Sequence, residues 1–155
     1  MTKGLIVGVA VVLLVLGGSA TLWLRHAHGF SANAKPTWIE TELARLSRHL
    51  ALPARTGDVK NPYPPTASEL AQARARFATQ CQMCHNSNGN GQTLLGQSLY
   101  PRVPDLRGLT QNKSDGALFY TIRNGIRMSG MPAWSQDSDQ QIWGLVNLIR
   151  TMKPR

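Results

Sequence analysis

Cys81, Cys84 and His85 are the residues whose types and spacing point most directly to chemistry. They stand in the run Cys81-Gln82-Met83-Cys84-His85, and C-x-x-C-H is the attachment signature of a covalently bound haem. Two thiols three positions apart on one helical turn can each add to a haem vinyl group, giving two thioether bonds. The adjacent imidazole then faces the iron as a ligand, and its second ring nitrogen calls for a hydrogen-bond acceptor. Other chemistries fit these residues less well. A dithiol oxidoreductase motif belongs in a βαβ setting, and no convincing strand is predicted. A structural zinc needs four ligands, whereas this region offers three; the remaining histidines, His26, His28 and His49, lie well upstream.

A second iron ligand is expected in Gly130-Met131-Pro132. A methionine thioether opposite a histidine is one of the standard haem pairs and raises the potential. Methionine is more often core filler, but Met131 lies in an irregular stretch bounded by Gly and Pro. Met128, three residues earlier, is the competing candidate.

The elements that must position these residues read as helices. Thr66-Ala67-Ser68-Glu69 has the form of a capping box and opens a helix through Leu70, Ala73, Phe77 and Ala78 that ends at the cysteines. Asn86 to Gly96 reads as a glycine-rich loop, and Tyr100 to Gly108 as a second, ordered one. Ser114 caps a helix through Leu118, Phe119 and Ile122 that Gly125 terminates. Ser138 and Gln141 open a last helix with a broad apolar face from Ile142 to Ile149. Upstream, Thr37 and Glu40 form another capping box, followed by Ile39, Leu43, Leu46 and Leu50 at helical spacing until Pro53. This short amphipathic helix (37–52) either covers part of the domain, lies on a bilayer surface or docks a partner subunit. Pro53, Pro62, Pro64 and Pro65 then mark an extended linker.

Taken in order, these motifs resemble a class I cytochrome c over residues 66–155. The resemblance rests on the helix entering Cys81-x-x-Cys84-His85, on Val103-Pro104-Asp105-Leu106, on Gly130-Met131-Pro132-Ala133-Trp134, and on a final helix carrying Ile142-Trp143. It implies an all-α cytochrome c fold of three to four helices around one haem c, attached through Cys81 and Cys84 and ligated by His85 and Met131. It implies further that the Pro104 carbonyl accepts the His85 N–H and that Leu106 packs on the haem face. Phe77 and Trp143 match the aromatics where the first and last helices cross. Tyr100, Arg102 and Trp134 are the expected donors to the haem propionates, which are costly to bury unpaired. An iron held by both His85 and Met131 has no open position for a substrate. The implied function is therefore electron transfer with redox protein partners, in a membrane-bound respiratory or dehydrogenase complex, rather than catalysis. A haem sensor or peroxidase with a labile Met ligand is the alternative.

Gly4 to Leu24 carries no charge, and about 20 apolar residues span a bilayer. A cleaved signal peptide would account for Lys3 and the small residues Gly18-Ser19-Ala20, but the apolar run continues through Leu22, Trp23 and Leu24. Residues 1–25 are therefore expected to be a retained transmembrane anchor, 26–65 the amphipathic helix and linker, and 66–155 the haem domain. The chain has 17 basic and 8 acidic residues, a net charge of +9. The excess is spread along the chain and no dense basic run suggests nucleic acid. A diffuse positive field suits an acidic protein partner or an anionic membrane. The flanking charges leave the orientation of the span open. Haem attachment of this kind places the domain on the periplasmic side of a bacterial cytoplasmic membrane.

Overall fold

The computed structural model describes residues 2–26, 31 and 34–152, and forms two units that meet after Ala34. His28 and most of the polar stretch around it lie outside the described residues. The first unit is a single helix, α1 (Thr2–His26), with an 18-residue window of mean hydropathy 2.5 between Lys3 and His26. By length and composition it is able to cross a membrane. Its hydroxyls are satisfied within the helix, as a lipid-facing segment requires: Ser19 Oγ donates to the Val15 carbonyl at 2.7 Å and Thr21 Oγ1 to Gly17 at 2.8 Å.

The second unit is all-α, with no strand among the described residues. It contains α2 (Trp38–Ala51), α3 (Ala67–Gln80), α4 (Gln82–His85), α5 (Leu94–Ser98), α6 (Asp115–Asn124) and α7 (Asp139–Thr151). The expected caps are present. Thr37, Thr66 and Ser138 each accept from the backbone N–H three residues on, and Glu40, Glu69 and Gln141 reach back to close the box. Ser114 caps α6, and Gly125 at φ 66° ends it. Two short pieces were not foreseen. α5 begins inside the stretch read as loop, capped by Thr93 and held by tertiary contacts rather than by its own propensity. A 3-10 turn, Leu109–Asn112, follows Gly108.

The core forms where α3 and α7 cross, with α6 packed beside α7. Small residues allow the crossing: a Cβ on Gly144 would lie 3.6 Å from the Ala73 Cβ. Ala73 and Phe77 of α3, Leu118 and Ile122 of α6, Leu106 and the apolar face of α7 make one buried cluster. Ile142 and Val146 are fully buried. Phe77 and Trp143 both belong to this cluster, but the ring stacked on Trp143 is Phe119, at 4.3 Å between centroids; Phe77 faces His85 instead. Polar clamps close the lower end. Gln111 Nε2 donates to the carbonyls of Leu106 and Ile149, while Arg150 bonds Asp115 and the Gln111 carbonyl.

The Pro-rich stretch, expected as an extended linker, lies against the domain. It is laid along the domain as a strap that includes a 3-10 turn, Ala54–Gly57. A Cβ on Gly116 would stand 2.1 Å from the Thr56 carbonyl oxygen, so α6 offers a glycine-sized seat for that turn. Further on, Asn61 Nδ2 donates to Asn147 Oδ1 at 2.8 Å, and Asn147 Nδ2 to the Tyr63 carbonyl at 3.1 Å. Tyr63 itself packs against the core. The prolines lower the entropy lost on ordering such a segment, so a few anchors suffice.

Trp143→Ala removes a buried aromatic at this crossing and should cost about 3–5 kcal/mol of stability. A thermal melt followed by circular dichroism checks this, and an unchanged midpoint would place Trp143 outside the core.

Candidate haem site

α3 delivers the site directly. The Cys81 N–H still donates to the Phe77 carbonyl at 2.9 Å, so Cys81 ends α3 while the chain turns into α4. The N–H groups of Cys84 and His85 both return to the Cys81 carbonyl, at 3.1 and 2.9 Å. Both thiols and the imidazole therefore sit on one turn. Asn86 at φ 64° ends it, with its side chain bonded to Ser87 N–H and Asn90. Asparagine is among the residues that tolerate this region of backbone space.

The thiols are free of each other and half-buried. Burial pushes the Cys81 thiol up to about 11, and the Asp137 charge adds to the effect. A thiol held protonated is the opposite of the activated nucleophile of a dithiol oxidoreductase. Asp137 is itself paired with Arg76, whose Nη1 lies 2.7 Å from Asp137 Oδ2 in an ion pair that lacks the alignment of a hydrogen bond. Burial also lowers the pKa of His85, favouring the neutral imidazole that a metal ligand must be. Its Nδ1 is buried and has no hydrogen-bond partner among the described residues.

That orphaned nitrogen corrects the expectation for Pro104. The His85–Pro104 hydrogen bond is not made in this structure. The Pro104 carbonyl lies beside Gly91 instead, where a Cβ would approach it to 3.2 Å and the Val103 carbonyl oxygen to 2.7 Å. The loop after His85 is thus tied to 103–106 through backbone. Gly91 N–H donates to the His85 carbonyl, Leu106 N–H to Gly89, and Val103 N–H to Gly96. Gly96 is packed so tightly that a Cβ would meet the Cys84 carbonyl oxygen at 2.5 Å.

The methionine loop is fixed to the end of α6. Ile126 N–H donates to the Met131 carbonyl at 3.1 Å, Met131 N–H to Ser129 Oγ at 3.2 Å, and Trp134 N–H to the Ile122 carbonyl at 3.2 Å. Met131 is half-buried against the core cluster, as Cys81 is. Met128 is 91% exposed, at φ 59°. Leu99 closes over this loop, since a Cβ on Gly130 would meet its side chain at 2.6 Å.

The structure therefore brings Cys81, Leu106, Met131 and Trp134 to one core, with His85 beside Phe77 and Cys84 half-buried on the same turn, while Pro104, Tyr100 and Arg102 lie on the surface. The Tyr100 phenol is engaged by Glu40 of α2; partial desolvation and the Glu40 charge raise its pKa. Leu99, Tyr63 and the Arg76–Asp137 pair went unnoticed in the sequence, where no local pattern announces a long-range contact. Two thiols and an imidazole with a free buried nitrogen on one turn, and a thioether on the core that the turn adjoins, are the donor set that covalent haem requires. The residues present fit the group.

A protein-family model described as cytochrome c oxidase, cbb3-type, subunit III, matches residues 68–149, from the first turn of α3 nearly to the end of α7. The chain belongs to this family of c-type cytochromes. A solved structure similar to it is cytochrome cL from the marine methylotrophic bacterium Methylophaga aminisulfidivorans, 19% identical, with a TM-score of 0.44. That match covers 80% of this chain and 71% of the other. No curated protein matches the chain.

In this cytochrome Gly125 seats the methionine loop, because at its φ of 66° a Cβ on it would lie only 2.6 Å from Ala133 N and from the Pro132 carbonyl carbon. Gly125→Ala should push the loop off α6, lowering the melting temperature and shifting the haem spectrum. A variant with wild-type stability and spectrum would remove Gly125 from that role.

Proposed function

We propose that this cytochrome is a membrane-tethered electron carrier with a single haem c, and that it works as a carrier rather than as an enzyme. The observation that carries the reading is the turn holding Cys81, Cys84 and His85 over the core on which Met131 also packs. Cys81 and Cys84 would each add sulfur and hydrogen across a vinyl double bond, so nothing leaves and no oxidant is consumed. His85 and Met131 would hold the iron. The bound haem supplies reversible one-electron exchange between ferric and ferrous iron. With both His85 and Met131 given to the iron, no position would be left for a substrate. The protein's contribution is to hold the thioether and the imidazole still, through the Gly125–Met131 loop and the α3–α4 turn. A ligand set that barely moves suits fast exchange.

The partner is proposed to be a membrane-bound respiratory or dehydrogenase complex, consistent with a family description that names an oxidase subunit. α1 is proposed as the anchor and the haem domain as periplasmic, with the positive charge of the chain available to an acidic partner.

Intact mass should exceed the polypeptide mass by one haem, and acid-acetone should leave the colour on the protein. Met131→Ala should abolish the weak sulfur-to-iron absorption at the red end of the ferric spectrum, lower the potential and admit carbon monoxide. Met128→Ala should leave all three unchanged. Extractable haem would sink the attachment, and reversed methionine outcomes would move the ligand by three residues.

Protease added to spheroplasts should release a haem-bearing fragment cut on the amino-terminal side of Pro53, since the strap beyond it is docked. Cleavage only in inverted vesicles would reverse the orientation, and a mature amino terminus at Thr21 would remove the anchor.

A further inference from the structure

α2 presents an apolar seam that nothing in the described structure covers. Ile39, Leu43, Leu46 and Leu50 are 51%, 59%, 54% and 72% exposed, and no residue of α2 is buried. They recur at intervals of four, three and four, which at 3.6 residues per turn confines them to a stripe about 60° wide. That is the width of a coiled-coil seam. A helix lying in a bilayer surface has a broader apolar face and a basic polar face. The face opposite the stripe does carry Arg45 and Arg48, but Glu40 and Glu42 flank the stripe on its two sides, next to the surface it would enter, where an anionic lipid would repel them.

The seam is complementary to itself in one orientation. Set antiparallel against a second copy, Ile39 meets Leu50 and Leu43 meets Leu46, twice over by symmetry. Glu42, whose Oε1 already accepts from Arg45 of its own helix at 2.7 Å, then stands opposite His49 of that copy, and its second carboxylate oxygen can accept an imidazole N–H. In the parallel orientation the acidic amino-terminal halves, with Glu40 and Glu42 of both helices, crowd together instead. Glu40 is already held by the Thr37 cap, and the seam residues remain exposed. We infer that α2 is a homodimerisation helix that pairs antiparallel with α2 of a second copy of this chain. A two-heptad seam is short, but copies held in one membrane by the anchor proposed above meet at raised effective concentration. The pairing does not involve the haem ligands.

The test uses the full chain in native membranes. Leu43→Cys and Leu46→Cys are placed on separately tagged copies, co-expressed and treated with a mild oxidant. The mixed pair should cross-link at least several-fold more than either variant alone. Leu43→Glu combined with Leu46→Glu should turn a detergent-solubilised dimer into a monomer with the haem spectrum unchanged. Stronger cross-linking of Leu46→Cys to itself would overturn the antiparallel arrangement. A monomeric wild type with no cross-link would overturn the pairing, as would quenching of a Leu46→Cys fluorophore by brominated lipid, or its cross-linking to a different protein. Alkaline extraction of the membranes reads the anchor separately.

Discussion

The approach of α3 to α7 at Ala73 and Gly144 decides where everything else can go. Side chains on one helical face repeat every three or four residues, so a contact at Ala73 commits Phe77 to the same core and carries that face on to Cys81. The haem-binding turn is not placed by its own loop but by the register of a helix whose position is already fixed. α7 supplies the other wall, and Trp143 stacked on Phe119 brings α6 alongside it. α6 in turn ends at Gly125, where the chain doubles back and offers Met131 to that core. The two expected axial ligands are thus set by the two partners of a single helix, α7. A substitution that shifts α7 would move both together.

Charge is managed by exclusion around this turn. His85 and Cys81 are both driven towards their neutral forms by burial, and the nearby charges, Arg76 and Asp137, are spent on each other. A neutral, partly dry pocket limits the reorganisation of charge and water that accompanies a change of iron oxidation state. The excess of basic residues is kept outside, where it can act at a distance on a partner without perturbing the ligands.

The long helices were legible because their signals are local. Capping boxes at Thr37, Thr66 and Ser138 mark starts within four residues, and the apolar run of α7 marks a face without reference to anything else. The attachment turn was legible for the same reason, being a five-residue pattern. What escaped depends on partners far away in sequence. α5 contains a glycine that no propensity would favour, and it forms because Gly96 fits against the Cys84 carbonyl. Residues 53–65 have the composition of a linker, and only Asn147, Ser114 and Gly116, more than 50 positions later, turn them into a strap. Tyr100 shows the same limit in reverse: its motif position suggested a haem contact, and the structure leaves it on the surface, where the Glu40 charge raises its pKa.

The docked strap also changes what a tether can do. A free linker through Pro65 would add its full contour to the reach of the domain. With that stretch fixed on α6 and α7, the chain between His26 and Trp38 is what remains to bridge α1 and the second unit. Its contour allows at most about 40 Å. If α1 is the anchor proposed above, a carrier so confined would exchange electrons efficiently with partners in the same membrane and close at hand, where effective concentration replaces tight binding. Weak, rapidly reversible contacts are then sufficient. That matches a surface whose positive charge is dispersed rather than gathered into one high-affinity patch.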